Sequence, residues 1–387
     1  MTEVREAPRV GEIDWARLRA DFPVTREVAY LNSAASGPVA NVVRDEATRF
    51  YDELMAEGDR RWEEWLERRE AARQNIARLI NAEPDEVGFT TNTSSGMHLI
   101  CDALETRGGG VISCELEFPV TTIPWLHRGR DVKFLKAADG VVAAEDVRRA
   151  MTDSTSVICL SHVQFSNGLR TDIEAVGREK GRHALVVNAA QSAGVLPIDV
   201  KRMRVDALCA TGHKWMLAGY GSGFVYMSRE LLAGTRPRSI SWMSVEHPFA
   251  MRNDSYRVRP GAGARAETGV PHFAGIFALG ASADYLLRLG PSAVERRALE
   301  LNRRMTEALT EAGWRVLSPL RDEATRSAET LVEAQNAGAL VRHLAARGVA
   351  VTVKPEGFRA ATHFFNDDSD VARLVEALSE WRRAGGI

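Results

Sequence analysis

Short, continuous, β-branched-rich apolar runs recur through the middle of the chain, each followed by residues whose apolar positions fall at helical spacing. Val87–Thr90, Val111–Cys114, Val132–Leu135, Val157–Val163, Leu185–Asn188, Val205–Cys209 and Phe224–Met227 read as strands. Ser94–Leu104, Val120–His127, Glu145–Met151 and Ile173–Lys180 read as helices between them. Runs that are apolar throughout belong to strands buried on both faces, so the pattern predicts a mostly parallel sheet covered by helices. Ahead of this block, Asp14–Phe22 reads as a short helix. The Glu/Arg-rich stretch from Val39 to about Asn81, with Val43, Ala47, Phe50 and Leu54 at helical spacing, reads as two more. After Ser228 the periodicity loosens, and Ser239–Gly263, rich in Trp, Met, His and Arg, is expected to be irregular. Phe273–Leu289 and Glu295–Ala312 are amphipathic helices. Trp314–Leu317, Thr330–Val332, Val349–Val353 and Arg359–Phe364 as strands, with Asn336–Arg347 and Ser369–Ala384 as helices, predict a smaller α/β unit. The expected division is a large domain over 30–262 and a small one from 1–29 and 263–387.

Composition narrows the classes. At 387 residues, 45% hydrophobic and with a formal net charge of −2, the chain has ample core and no basic excess, which argues against a nucleic-acid partner. No apolar run approaches the ~20 residues of a membrane span, and the N-terminal MTEVREAPRVGEIDW lacks the apolar core of a signal peptide. A cytoplasmic protein with no membrane partner is expected. The four cysteines, Cys101, Cys114, Cys159 and Cys209, sit singly in apolar stretches, which favours buried thiols over disulfides. Nothing has the Cys/His spacing of a metal site.

The chemistry gathers after the strands. In Val205–Met227 an apolar run ends in Thr211-Gly-His213-Lys214-Trp215, three glycines follow (Gly219, Gly221, Gly223), and a second apolar run closes the stretch. An amine held between two buried strands is partly desolvated, which lowers its pKa and frees it to attack a carbonyl. That suits a lysine forming a Schiff base with pyridoxal 5'-phosphate, although a lysine taken alone is more often on the surface. In parallel sheets ligands lie outside the carboxyl ends of the strands. There the sequence is polar: Thr91–Ser95, Glu115–Phe118, Ser166–Gly168, Asn188–Gln191 and Thr211–Lys214. Ser94 and Ser95 at a helix start offer hydroxyls and free N–H groups to an anion, or are an ordinary helix cap.

Taken in order, these segments resemble the class V aminotransferase family of fold-type I pyridoxal-phosphate enzymes, the cysteine-desulfurase-like and isopenicillin-N-epimerase-like group, over roughly Leu31 to Leu378. The resemblance implies an α/β fold, a large cofactor-binding domain plus a smaller C-terminal α/β domain, a small amino-acid substrate and a homodimer. It makes Lys214 the Schiff-base lysine. It places Thr211, His213, Ser94 and Ser95 at the cofactor phosphate, Phe118 stacked on the pyridine and Gln191 near the phenolic oxygen. Arg359 matches the arginine that clamps a substrate carboxylate, a task suited to a guanidinium fork. Phe165 falls where desulfurases have a cofactor-binding asparagine, so Asn167 stands as a substitute. Ser33–Ser36, Trp242, Met243, Arg265 and His272 are candidate substrate-pocket residues.

Three departures shape the functional expectation. Asn188 stands where the family places an aspartate against the pyridine nitrogen, so a neutral amide faces the ring and the electron sink is weakened. Val270, in Glu267-Thr268-Gly269-Val270-Pro271-His272, lacks the hydroxyl that would reach a phosphate across a dimer. No cysteine follows Cys209, so the persulfide-forming thiol of a desulfurase is missing. The expectation is a β-eliminating C–S lyase acting on an S-substituted cysteine. The alternatives are an aminotransferase, epimerase or decarboxylating deaminase of a specialised pathway, or a degenerate member that binds cofactor without turnover. Cysteine desulfurase activity is not expected.

Overall fold

The structure is a computed structural model and describes residues 13–386. Residues 1–12, which hold most of the segment read as lacking a signal peptide and the first part of the 1–29 stretch expected in the small domain, lie outside the described residues.

Seven strands form the main sheet: β1 (Val87–Thr90), β2 (Gly110–Cys114), β3 (Val132–Leu135), β4 (Thr155–Ser161), β5 (Ala184–Asn188), β6 (Ala207–Thr211) and β7 (Gly223–Met227). Their spatial order is β1-β7-β6-β5-β4-β2-β3. Neighbours from β6 through β3 are parallel, and β7 runs antiparallel to both β6 and β1. Alternate residues of each strand feed opposite faces, because successive side chains point to opposite sides of a strand. Ile112, Ile158, Leu185, Leu208 and Phe224 join a core with Phe50, Trp65, Phe273 and Phe277. Val111, Val157, Val186, Cys209 and Val225 join a second core with Met97, Ile100 and Trp125. Burial on both faces is why these strands read as unbroken apolar runs.

A smaller three-stranded antiparallel sheet, β8 (Glu329–Glu333), β9 (Thr352–Lys354) and β10 (Gly357–Ala361), has the order β9-β10-β8. Helices Ala337–Ala346 and Asp368–Arg383 cover it around Leu340, Phe358 and Leu374. The chain's early segment joins this unit: Ala29–Tyr30 pairs in parallel with Val349–Ala350.

Several boundaries differ from the sequence reading. Helix Phe273–Leu289, expected in the smaller unit, packs against helices Asn41–Glu57 and Trp62–Ile80 in the larger core. Its apolar residues cover most of its circumference, so it is an interior helix of the large layer, not an amphipathic cover. Trp314–Leu317 contributes only a single bridge, Val316 to Val332, and Val349–Val353 divides into two short pairings on different partners. Ser239–Gly263 is irregular as expected, with two single 3₁₀ turns.

Candidate active site

The parallel strands end on one edge at Cys114, Ser161, Asn188 and Thr211, and the turn after β6 carries Lys214. Backbone contacts fix this turn from several directions. Gly37 N–H donates to the His213 carbonyl at 2.8 Å, Leu217 N–H to the Lys214 carbonyl at 3.1 Å, and Gly212 N–H to the Ser222 carbonyl at 2.7 Å. The Trp215 carbonyl lies 3.0 Å from His363 Nε2 of the smaller unit, and Trp215 Nε1 donates to Gln191 Oε1 at 2.7 Å. Ser282 of the interior helix donates to the Met216 carbonyl. Two glycines make room for the turn: a Cβ on Gly37 would stand 2.2 Å from the Lys214 carbonyl oxygen, and one on Gly194, whose φ is +102°, 2.3 Å from that of Trp215.

Lys214 Nζ sits 5.8 Å from the Phe118 ring centroid. Burial, reinforced by the positive charges of Arg359 and Lys354 and opposed by Glu329, lowers its pKa from 10.5 to about 8. Beside it, Phe165 meets Phe118 edge-on at 5.0 Å. The Phe165 carbonyl accepts from both Arg359 Nη1 at 3.1 Å and Lys354 Nζ at 2.8 Å. Arg359 also pairs with the buried Glu329 carboxylate at 3.3 Å. Two polar atoms of this pair, Arg359 Nε and Glu329 Oε2, are buried without a hydrogen-bond partner. Burial pushes the Glu329 carboxyl up and brings Lys354 down to about 8. Neither Lys354 nor Glu329 stands out in the sequence, since a lysine near a strand end and a glutamate opening one are ordinary there.

Asn188, closing β5, is held at both ends of its amide. Ala190 N–H donates to its Oδ1 at 3.0 Å, and its Nδ2 donates to Thr121 Oγ1 at 2.9 Å. On the neighbouring strand end the buried Glu117 carboxyl gathers its own donors. Glu117 Oε1 accepts from Ser161 N at 2.6 Å and Gln164 Nε2 at 2.8 Å, and its other oxygen from the Ser161 hydroxyl. Burial pushes this carboxyl above the usual carboxylate range, an effect its donors only partly offset. The sequence reading placed Asn188 alone at this position; the Glu117 carboxyl was missed because Glu117 and Asn188 lie on different strand ends.

The remaining candidates fall into three places. His213 Nδ1 lies 2.7 Å from Thr211 Oγ1, and its ring stacks on Tyr220 at 4.7 Å. Burial and the neighbouring Lys214 lower its pKa to about 4, leaving the imidazole neutral at pH 7. Gln191 uses both ends of its amide internally, donating from Nε2 to the Ala34 carbonyl at 3.0 Å and accepting from Trp215, so it ties the Ser33–Ser36 loop to the lysine turn. Ser33 is buried nearby in the chain with its hydroxyl unpaired.

At the helix start, Asn92 caps helix Thr93–Leu104 by accepting from Ser95 N–H at 3.0 Å, and the Ser95 hydroxyl bonds the Asn92 carbonyl at 2.9 Å. Ser95 is thus part of the cap, while Ser94 is exposed on the first turn, where backbone N–H groups point outward. Asn167 is committed elsewhere: it donates to the Gly140 carbonyl at 2.8 Å and accepts from Leu169 N–H at 3.1 Å, shaping its own loop. Arg265 is held by backbone carbonyls. It donates to the Leu232 and Thr235 carbonyls and lines a cavity of about 540 Å³ with Ser95, His98, Thr268 and His272. All four cysteines are buried and free, and burial raises each thiol. Among the described residues no His/Cys/Asp/Glu cluster could hold a metal, and no helix is long and apolar enough to cross a membrane.

A doubly covered, mostly parallel sheet with a buried, deprotonatable lysine at its carboxyl edge and a smaller α/β unit beside it defines a fold-type I pyridoxal-phosphate enzyme. The aminotransferase class-V family model matches residues 29–373, and the chain belongs to that family of pyridoxal-phosphate-dependent enzymes. It is 28% identical over 361 residues to an uncharacterized aminotransferase, YcbU, of Bacillus subtilis (strain 168), covering 90% of this chain and 91% of that one. It is 28% identical over 404 residues to isopenicillin N epimerase of Amycolatopsis lactamdurans, covering 95% and 98%. The apo structure of a cysteine desulfurase from Thermococcus onnurineus NA1 superimposes with a TM-score of 0.87 at 22% identity, covering 99% and 100%, which establishes the shared fold.

Proposed function

We propose that Lys214 holds pyridoxal 5'-phosphate and that the enzyme is a β-eliminating C–S lyase acting on an S-substituted cysteine. The cofactor supplies an electron sink for negative charge developing at the substrate α-carbon. The residues on hand fit such a group: a desolvated amine beside an aromatic face, a helix start with outward N–H groups, and the buried, unpaired Arg359 Nε. Asn188 faces the ring nitrogen in this reading, Phe118 the ring, and Thr211, His213 and Ser94 the phosphate. Arg359, already anchored by Glu329, offers its remaining N–H groups to the substrate carboxylate. With a pKa near 8, Lys214 Nζ exchanges protons near neutral pH and can take the α-proton.

The observation carrying the lyase reading is the state of the thiols. A desulfurase needs a nucleophilic cysteine, and thiolate character requires an exposed, electropositive setting. Here every thiol is buried and raised, and the segment leading to Arg359 carries none. Elimination asks only for a base at the α-carbon, which Lys214 provides. A second reading, transamination or epimerisation, is favoured by the match along 95% of this chain to isopenicillin N epimerase of Amycolatopsis lactamdurans. A homodimer is proposed with either reading, with the region 239–272 at its interface; Phe249, Met251 and Tyr256 are large apolar side chains exposed there.

Two measurements decide. Borohydride reduction of cofactor-loaded protein followed by peptide mass spectrometry should place a pyridoxyl group on Lys214 and none on Lys214→Ala; an adduct elsewhere removes the assignment. S-alkyl cysteines should then yield pyruvate in stoichiometric amount with thiol. Keto-acid-dependent amino transfer without pyruvate would select the second reading.

A further inference from the structure

Resting on the reading that Arg359 holds the substrate carboxylate, we propose that Lys354 is the second cation of that clamp, a substrate-binding residue that shares one carboxylate with Arg359.

The register of the smaller sheet carries this. Arg359 on β10 pairs with Thr352 on β9 and with Leu331 on β8. Directly paired residues share a face, and so do residues two apart on one strand. Lys354 and Glu329, each two positions from those partners, therefore lie on the face that carries Arg359. Both cations reach one acceptor: the Phe165 carbonyl receives Lys354 Nζ at 2.8 Å and Arg359 Nη1 at 3.1 Å. Two cationic heads that meet on one oxygen suit a single small anion better than two separate acidic groups, and a carboxylate has lone pairs enough for both. Donors remain open. The Lys354 ammonium gives one of its N–H groups to Phe165 and keeps the others, and the buried Arg359 Nε has no partner. The charge on this face is also unbalanced. Glu329 pairs with Arg359 at 3.3 Å, while among the described residues no carboxylate lies within salt-bridge distance of Lys354. Glu356, the other carboxylate near Lys354, is exposed and screened by water. Lys354, brought down to about 8, is still mainly protonated at pH 7. Whichever protonation state Glu329 takes, at least one positive charge stays uncompensated, and an unpaired, half-buried ammonium is costly. The place fits the reaction. The Phe165 ring centroid lies 4.1 Å from Lys354 Nζ and 5.0 Å from that of Phe118, whose own centroid is 5.8 Å from Lys214 Nζ.

The test uses holoenzyme, with equal pyridoxyl loading of Lys214 checked in every variant, and follows the cofactor absorbance as L-alanine or ethylamine is added. These ligands share an amine and differ by the carboxylate, and neither carries a leaving group. Lys354→Met, which keeps most of the stem and loses the charge, should raise the dissociation constant of L-alanine about ten- to hundredfold, the order of one charge-assisted hydrogen bond, and leave that of ethylamine unchanged. Lys354→Arg, which keeps the charge, should restore most of the lost affinity. Lys354→Gln carries the same expectation as the methionine variant and decides if that one fails to fold. A merely structural role, such as bracing the Phe165 loop, would weaken both ligands alike, and that result or an unchanged affinity for alanine overturns the proposal. L-Aspartate is the third ligand: a loss confined to it would mean that Lys354 reads a second acidic group, which overturns the shared clamp equally. Failure of the underlying readings looks different. Unaltered protein that binds alanine no better than ethylamine would bring down the Arg359 clamp, and absence of any pyridoxyl adduct on Lys214 the cofactor assignment itself.

Discussion

A lysine whose amine titrates near pH 8 inside a folded chain records how its surroundings treat a charge. The Lys214 ammonium loses hydration, meets the positive charges of Arg359 and Lys354, and recovers only part of the cost from Glu329. Unfolded, the same amine titrates near its ordinary 10.5, so between about pH 8 and 10.5 the unfolded chain binds more protons than the folded one. Stability contributed at this position therefore rises with pH through that window, and the full penalty applies below it. In cofactor-free protein Lys214→Met should be the more stable form at pH 7, by at most about 3 kcal/mol. The advantage should fade toward pH 11. Urea unfolding of both proteins at three pH values checks this, and a variant less stable at pH 7 would contradict the burial argument. Arg359 is harder to change, because Glu329 beneath it has no other cation within salt-bridge distance among the described residues.

Elements position these side chains more than the side chains position themselves. The turn after β6 is fastened to the Gly37 loop, the Gln191 loop, the interior helix and the smaller unit, so its amine is delivered by a rigid support. Gly37 is one place where that support is tight. Gly37→Ala would force a methyl to 2.2 Å from the Lys214 carbonyl oxygen, backbone that cannot swing aside, and to 2.6 Å from Leu217 Cδ2. The expected outcome is a loss of about 2–3 kcal/mol, in the range of overpacked sites, together with weaker cofactor retention. Thermal melts with and without added cofactor would show both. An alanine variant with unaltered melting and loading would mean that the turn is free to shift.

At the scale of the whole molecule, long-range ion pairs join segments the chain order keeps apart. Glu267 is buried and accepts from Arg73 Nη1 at 2.6 Å, Arg73 Nη2 at 2.8 Å and Phe89 N–H at 3.0 Å. It ties helix Trp62–Ile80, strand β1 and the Thr268–Val270 segment lining the 540 Å³ cavity. Breaking a buried pair by removing one partner typically costs 3–5 kcal/mol, because the other charge stays buried. Glu267→Gln should lower the unfolding free energy from urea titration by that order, while charge removal at an exposed pair such as Arg148–Glu145 should leave it nearly unchanged. Equal effects at both positions would refute the role given to burial.

The order of elements was legible in the chain because its signals are local. Unbroken apolar runs mark strands covered on both faces, and the amine after β6 and the polar residues after the other strands appear where such a sheet opens to solvent. The same locality misled where context mattered. Helix Phe273–Leu289 was placed with its sequence neighbours, yet its apolar surface belongs against helices more than 190 positions earlier. Asn167 donates to the Gly140 carbonyl and Arg265 Nη2 to the Leu232 and Thr235 carbonyls, contacts 27 to 33 positions away that no local pattern marks.

What the sequence alone determined is the alternation of buried strands and covering helices, the family order of its motifs and the lysine at a strand edge. Only the tertiary structure decided which charges meet. Glu117 meets Ser161 across 44 positions, Glu329 meets Arg359 across 30, and Lys354 meets the Phe165 carbonyl across 189. Periodicity encodes which face of an element is buried, whereas a carboxylate's partner and its pKa depend on distances between elements that only the folded chain sets.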